Sequence, residues 1–392
     1  MHPADRLPRE LPARADVVII GAGIVGLTLA SELARAGVPR IVVFDADEPG
    51  QQSTGRSAGG IRRQFGSELE IQLTQAALRF YEPIFADPDF DGRFERDGYV
   101  FLAGQEQHRQ LYEACQLQRG LGVPTEWLDR HALAERYPYL DVSNLSGGTF
   151  CADDGVVDPG SIVQWLVRRC DDLGVIIRTQ RRVHAIEVSQ QRVRAVCAGP
   201  DRIEAPTVIN AAGAWAGVVG ALAGVAVPVL PSRRFQLITE TEEALLPRTP
   251  LMIDLTTGAY LRATERRIMA GVSPATIPIG FEVTQERETV DLIAAHASAR
   301  FPGLRRAGVS RIAGGLYEIT PDGLPIAGFA KDVAGFGTVA GFNGHGIMHS
   351  PPLACAIADL ILGRPERFGL EPFKPDRFAA GADAAGRHSG LI

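Results

Sequence analysis

The stretch VVIIGAGIVGLTLASELARAGVPRIVVFDADEPG, residues 17–50, decides the fold. Val17–Ile20 is a short β-branched run, the composition of a central parallel strand. Ile24 to Ala36 repeats its apolar residues with helical spacing, and Gly37 stops it. Ile41–Phe44 is a second strand, with Asp45 at its end. Between strand and helix lies G-x-G-x-x-G. Gly21 allows the tight turn, Gly23 lets backbone approach a pyrophosphate, and Gly26 lets the helix pack closely on the strand. The helix start at Ile24 offers N–H groups and about half a positive charge to phosphates. Asp45, 19 residues after Gly26, is placed to accept from ribose hydroxyls, and its charge disfavours a 2′-phosphate. The unit predicts a bound dinucleotide, either FAD or NAD.

The chain's 392 residues suffice for two domains, and 45% hydrophobic with 22% charged residues is ordinary globular composition. A net charge of −6 argues against a nucleic-acid surface. Lysine occurs only at Lys331 and Lys374. Five dispersed cysteines with no CxxC predict reduced thiols in the cytoplasm, with neither a disulfide framework nor a metal site. The start, MHPADRLPRELPARAD, has no apolar core of a signal peptide. Residues 211–230, AAGAWAGVVGALAGVAVPVL, carry no charge. Glycines and Pro228 punctuate them, so a strand end, a small-residue helix and a loop are expected rather than a transmembrane span.

Further helices are expected near Glu68–Phe85, 105–120, 129–136 and 284–300, with Asp158 capping another from about Ser161 to Leu173. FERDGYVFLA (94–103) reads as a strand pair around Asp97-Gly98. Strands are expected at VIIR, RRVHAIEV, RVRAVCA, TVIN, VLPSRRFQLIT, AYLRA, RIMAG and RIAGGLYEIT, and GIMHSPPLACAIADLILG (346–363) is a closing helix. The fold class is α/β. A Rossmann-like nucleotide domain (15–90, 145–225, 310–372) is interleaved with a β-rich substrate domain of mixed sheet plus helices (91–144, 226–309). Residues 1–14 and 376–392 are expected to be loose.

Four more stretches bear on the cofactor: QQSTGRSAGGIRRQF (51–65), TVINAAGAW (207–215), GGLYEITPDGLPIAG (314–328) and AGFNGHGIMHSPPLACAIADLI (340–361). With the glycine turn, they make residues 15–370 resemble the D-amino-acid oxidase superfamily of FAD-dependent oxidoreductases. The branch they resemble holds sarcosine oxidase β subunits, sarcosine dehydrogenase and L-proline dehydrogenase. The resemblance implies an FAD site of Gly21, Gly23, Ile24 and Gly26 at the pyrophosphate, with Asp45 and Ala46 at the ribose. It implies Ser53, Thr54, Arg56, Ser57, Ala58, Gly59, Gly60 and Ile61 in the loop beside pyrophosphate and flavin. Val183 matches the adenine contact, Ala212, Gly213 and Trp215 the element under the cofactor, and Gly315 and Leu316 the strand passing the ring. Gly344, His345, Gly346, Ile347 and Met348 match the helix start at the flavin O2 and N1 edge. Arg62 is implied to bind a substrate carboxylate, His345 to act by positioning and electrostatics, and Tyr317 to wall the pocket.

The implied reaction is oxidation of the C–N bond of a secondary amine or amino acid to an imine, by hydride transfer to flavin N5. A 2-hydroxy-acid oxidoreductase, a non-catalytic flavin-bound subunit or assembly protein, and an NAD dehydrogenase are the rivals. Monomeric sarcosine oxidase, a member of that branch, tethers its flavin through a cysteine at the position of Gly315, so non-covalent FAD is expected here. The lysine with which that enzyme activates O2 falls at Met269, which points to slow reaction with O2 and transfer to another acceptor. A second lysine, a carboxylate partner near the helix start, falls at Met348, which points to a substrate other than sarcosine. Resemblance to subunits of larger oxidases admits a homo- or hetero-oligomer.

Overall fold

A computed structural model of the chain describes residues 10–241, 245–273, 279–283 and 287–378. The first half runs β1 (Val17–Ile20), α1 (Ile24–Arg35), β2 (Ile41–Phe44), β3 (Gly60–Ile61), α2 (Glu68–Phe85), β4 (Phe94–Glu95), β5 (Tyr99–Ala103), α3 (His108–Gly120), β6 (Glu126–Asp129), α4 (Arg130–Arg136), β7 (Gly147–Cys151), β8 (Gly155–Val157) and α5 (Pro159–Asp172). It continues through β9 (Ile176–Arg178), β10 (Val183–Ser189), β11 (Arg192–Ala198), β12 (Asp201–Glu204), β13 (Thr207–Asn210), α6 (Ala216–Leu222), β14 (Leu230–Glu240), β15 (Leu251–Asp254), β16 (Ala259–Ala263) and β17 (Arg267–Val272). The last elements are α7 (Arg287–Arg300), β18 (Arg311–Ile319), β19 (Ile326–Phe329), β20 (Phe336–Ala340) and α8 (Gly346–Ile361).

A six-stranded sheet in the order β19-β20-β13-β1-β2-β9 carries the nucleotide-binding architecture. Its strands are parallel except β19, an antiparallel edge. β1 is central, with Ile20 opposite Phe44 on one side and Asn210 on the other. All four β1 residues are buried, as a strand covered on both faces requires. α1 packs against α8, and α2 against the same α8. Leu27, Leu29 and Leu33 of α1 share one core with Leu353 and Ile357 of α8, each fully buried. Each such side chain contributes about 1.5–3 kcal/mol.

Local chemistry starts the helices where the strands need them. Ser67 caps α2 by accepting from the Glu70 N–H, and its hydroxyl in turn donates to the Glu70 carboxylate at 2.7 Å. Asp158 caps α5 by accepting from the Ser161 N–H at 2.7 Å, and Pro159 opens the first turn.

The second large sheet has eight strands, β18-β14-β17-β16-β15-β5-β7-β6, supplied by two excursions of the chain. It takes in β7 and β18, which the expected boundaries at 145 and 310 separate from it. The expected pair within 94–103 does not form. β4 pairs with β8, while β5 lies between β15 and β7. The Asp97-Gly98 turn sends the two strands to different sheets.

Residues 211–230 become a short 3-10 turn (Gly213–Trp215), α6 and a loop before β14. Among the described residues no helix is long and apolar enough to cross a membrane. All five cysteines are free thiols. Part of the expected loose termini is ordered. The Ala13 carbonyl accepts from the Glu204 N–H at 3.0 Å, and Arg377 pairs with Asp322 at 2.7 Å. Residues 1–9 and 379–392 lie outside the described residues, as does the 284–286 start of the expected helix that continues as α7.

Candidate active site

The carboxyl ends of β1, β2 and β13 open into one cleft of about 1770 Å³, and β14 and β18 form the facing wall. That is the crevice position for ligands on an open α/β sheet. The volume exceeds the roughly 300–1,000 Å³ of a site for one drug-sized molecule.

The glycine turn lines this cleft through Gly21, Gly23 and Ile24. Gly21 has φ +115°, and an added Cβ would collide with the Ala211 carbonyl. Gly26 does not line the cleft. A Cβ there would strike the Gly21 carbonyl, so this glycine serves helix-on-strand packing. The Asp45 carboxylate accepts from the Ala22 N–H at 2.6 Å and the Asp47 N–H at 2.9 Å. Burial raises its pKa, against the pull of those two N–H groups. The Ile24 N–H, expected to be open to a ligand, donates to Thr54 Oγ1 at 3.3 Å.

The 51–65 loop is tied to the opposite wall. Ser53 Oγ donates to the Leu316 carbonyl at 2.8 Å, and Arg56 Nη1 to the Gly314 carbonyl at 3.2 Å. Ala46, Ser57, Ala58, Gly59, Gly60, Val183, Ala212, Gly213, Trp215, Gly315 and Leu316 complete the expected lining. Ile61 does not belong to it. Side chains alternate along β3, so Gly60 faces the cleft and Ile61 sits fully buried in the core. Met269 also lies off the cleft, packed against the core cluster that holds Tyr99, Phe101, Leu111 and Leu251.

The three arginines of this loop separate by their partners. Arg56 spends its donors on backbone carbonyls. Arg63 pairs with Asp154 at 3.2 Å and Asp153 at 3.3 Å. Arg62 is 5% exposed, yet no described carboxylate lies within ion-pair distance of it. Its Nη1 donates to the Gln64 carbonyl, its Nη2 lies 3.3 Å from His345 Nε2, and its guanidinium sits 3.8 Å over the Phe65 ring. Burial pulls its pKa down. A desolvated cation on a cleft wall without a carboxylate is the arrangement that an incoming anion completes.

The far end of the chain meets this arginine. Asn343 and Gly344 have φ +53° and +91°, and a side chain at 344 would collide with the Tyr317 ring. Asn343 Nδ2 donates to the Gly341 carbonyl at 2.7 Å and the Gly323 carbonyl at 2.9 Å, pinning the turn. Gly344, His345, Gly346, Ile347 and Met348 all line the cleft where α8 begins, and Tyr317 lies beside them. His349 is buried one turn on, its ring 4.7 Å from Phe65. Burial and then the Arg62 charge push its pKa down to about 3, so it stays neutral.

Wall residues that the sequence does not single out include Arg234, Gln236, Tyr260 and Glu318. Along β14, Arg234 and Gln236 face the cleft while Phe235 and Leu237 enter the core, and that alternation within SRRFQL was the available signal. Arg234 stacks 4.7 Å over the Tyr317 ring. Glu318 is 8% exposed and accepts from the Gly341 N–H at 2.8 Å. Burial raises its pKa to about 7, against the Gly341 and Phe342 N–H groups.

Comparison with known proteins gives the same answer for most of the chain. Residues 16–360 match the family described as FAD dependent oxidoreductase. FAD-dependent oxidoreductase domain-containing protein 1 of Bos taurus is 26% identical, with 95% of this chain and 86% of that protein covered. Mitochondrial sarcosine dehydrogenase of Mus musculus is 28% identical over 92% of this chain, which spans only 41% of that protein's length. The crystal structure of L-proline dehydrogenase from P. horikoshii superposes with a TM-score of 0.87 at 27% identity, covering 95% of this chain and 99% of that one.

Proposed function

This chain belongs to the FAD-dependent oxidoreductase family, and from that premise we propose that it oxidises the C–N bond of a secondary amine or amino acid to an imine. The observation that carries the proposal is Arg62, a buried guanidinium without a described carboxylate partner, in one cleft with the glycine turn and the start of α8. Sarcosine and proline, which name two relatives of this chain, are secondary amines that carry a carboxylate.

The residues present fit FAD. A side chain at Gly21 would fill the turn, and the cleft has room for a dinucleotide and a small substrate together. Gly21, Gly23 and Ile24 would hold the pyrophosphate, Asp45 and Ala46 the ribose, and Val183 the adenine. Gly344 to Met348 would face the flavin edge. Among the described residues no cysteine lines the cleft, and a Cβ at Gly315 would come within 3.2 Å of the Arg56 Cβ. Both facts support non-covalent binding. FAD supplies the two-electron acceptor; the protein supplies binding and orientation.

Arg62 binds the substrate carboxylate through charge-assisted hydrogen bonds. His345, beside it, orients the same group. Tyr317 walls the pocket and keeps water from the substrate. The α8 N-terminus, with no side-chain cap on its first turn, presents its dipole to developing negative charge. The six-stranded sheet carries the pyrophosphate and ribose end of the cofactor, and β14 and β18 of the eight-stranded sheet wall the flavin and substrate end.

No lysine lines the cleft among the described residues, which supports slow reaction with O2 and transfer of electrons to another acceptor. Rapid return of the flavin spectrum in air after stopped-flow mixing would contradict that. The dispersed free cysteines support a cytoplasmic location. The deciding experiment is anaerobic flavin bleaching across N-methyl amino acids, proline analogues, D-amino acids and 2-hydroxy acids. Bleaching by a secondary amino acid is expected; bleaching by hydroxy acids alone would overturn the proposal.

A further inference from the structure

We propose that the substrate carries two anionic groups, the first held by Arg62 and the second by Arg234. The inference rests on the reading of the cleft as an amine-oxidising site and names the substrate class within it: an N-substituted amino acid with a second carboxylate.

Two cations face this cleft from opposite walls. Arg62 comes from the loop after β3 and touches His345. Arg234 comes from β14 and covers the face of Tyr317, whose ring in turn closes over Gly344. The two guanidinium groups therefore flank the 344–345 turn rather than share one contact. Tyr317 and the turn link them, because Arg234 stacks on the Tyr317 ring, that ring closes over Gly344, and Arg62 meets the next residue, His345.

Arg234 is not held by an acid. Its Nη1 donates to Ser232 Oγ at 2.6 Å and to the Arg233 carbonyl at 2.9 Å. Its Nε is buried without a hydrogen-bond partner. Among the described residues no carboxylate lies within ion-pair distance of it, whereas Arg63, Arg262 and Arg300 each have one. Glu70, whose charge reaches Arg62 at longer range, instead accepts from Ser67 at the α2 cap. Two like charges in one cleft repel, and each loses hydration. An anion at each offsets both costs. One carboxylate satisfies one guanidinium fork, so two forks on separate walls select a dianion.

Neighbouring groups suit an extended diacid. Gln236 lies two residues along β14 on the same face as Arg234, and Tyr260 reaches it across Gly271, where a side chain would collide with the Tyr260 ring. These polar tips continue the wall beyond Arg234.

The test measures binding of glutarate and of butyrate to the FAD-loaded protein by calorimetry and by the flavin difference spectrum. Glutarate should bind at least about tenfold more tightly than butyrate. Arg234→Gln should erase that advantage while leaving butyrate unchanged, and Arg234→Lys should keep part of it. Equal weakening of both ligands by Arg234→Gln would overturn the proposal, since that marks a clamp on one carboxylate or a support for Tyr317. Equal affinity of the two ligands for the unaltered protein would also overturn it. Either failure, in a protein that holds flavin and is bleached by a monocarboxylic secondary amine, leaves the amine-oxidising function intact. Failure to hold flavin at all would refute that function instead.

Discussion

Replacing Glu318 with glutamine should make the protein progressively more stable than the unaltered one as pH rises from about 5 to 8. Glu318 sits on β18, buried, with its carboxylate against the Gly341 N–H. Burial raises its pKa from an ordinary 4.5 to about 7. In the folded protein it keeps its proton up to near neutrality, whereas the unfolded chain releases it near 4.5. Its contribution is therefore fully present below pH 4.5 and is lost as pH rises through 7. Each pH unit in that window is worth about 1.4 kcal/mol, so the loss totals about 3 kcal/mol. Glutamine keeps a carbonyl for the Gly341 N–H and has no charge to desolvate. The assay is denaturant unfolding of both proteins, equally saturated with FAD, at steps across that range. His349, held neutral, loses stability below its ordinary pKa of 6.5, but does so equally in both proteins. The two proteins should match near pH 5, and the variant should be more stable by a few kcal/mol near pH 8, on the order of the shift above. Parallel curves would refute the reasoning, because Glu318 would then be ionised in the fold at no cost.

Three further outcomes follow from single contacts. Arg62→Gln removes a charge-assisted carboxylate contact worth roughly 1.5–3 kcal/mol, so KM for an amino-acid substrate should rise about 10- to 150-fold in steady-state kinetics. Gly21→Ala sets a Cβ against the Ala211 carbonyl at φ +115°, which costs roughly 2–5 kcal/mol and should leave the purified protein depleted in flavin absorbance relative to protein absorbance. Arg300→Met strands Asp254, its buried partner at 2.9 Å and an acceptor for Thr256 of the cleft wall; thermal unfolding should report a loss of roughly 3–5 kcal/mol.

What the chain's residues announced was mostly local. β1, α1 and β2 carry β-branched runs, a glycine turn and a helical stripe within 34 residues, and each forms where expected. α2 runs from Glu68 to Phe85, the span its amphipathic spacing predicts. Strand partners were not legible, because pairing links residues far apart in sequence. β4 and β5 look like a hairpin until β8, β15 and β7 claim their edges. β19 and β20 went unnoticed because glycines interrupt their apolar runs, although Gly337 is needed where a Cβ would crowd Ile209. Ile61 was assigned to the cofactor with its loop, and the two-residue alternation of β3 turned it into the core. Arg62 stood out only by resemblance. Its special status, an arginine whose neighbours Arg56 and Arg63 have partners while it lacks a carboxylate, exists only in three dimensions.

The central claim is that one FAD joins the glycine turn after β1 to the start of α8. A crystal structure of the flavin-loaded protein tests it most directly. The predicted density has its pyrophosphate at Gly21 to Ile24 and its ring edge at Gly344 to Met348, with Arg62 within reach of a carboxylate ligand. A ring bound away from His345, or a nicotinamide in its place, would contradict the account.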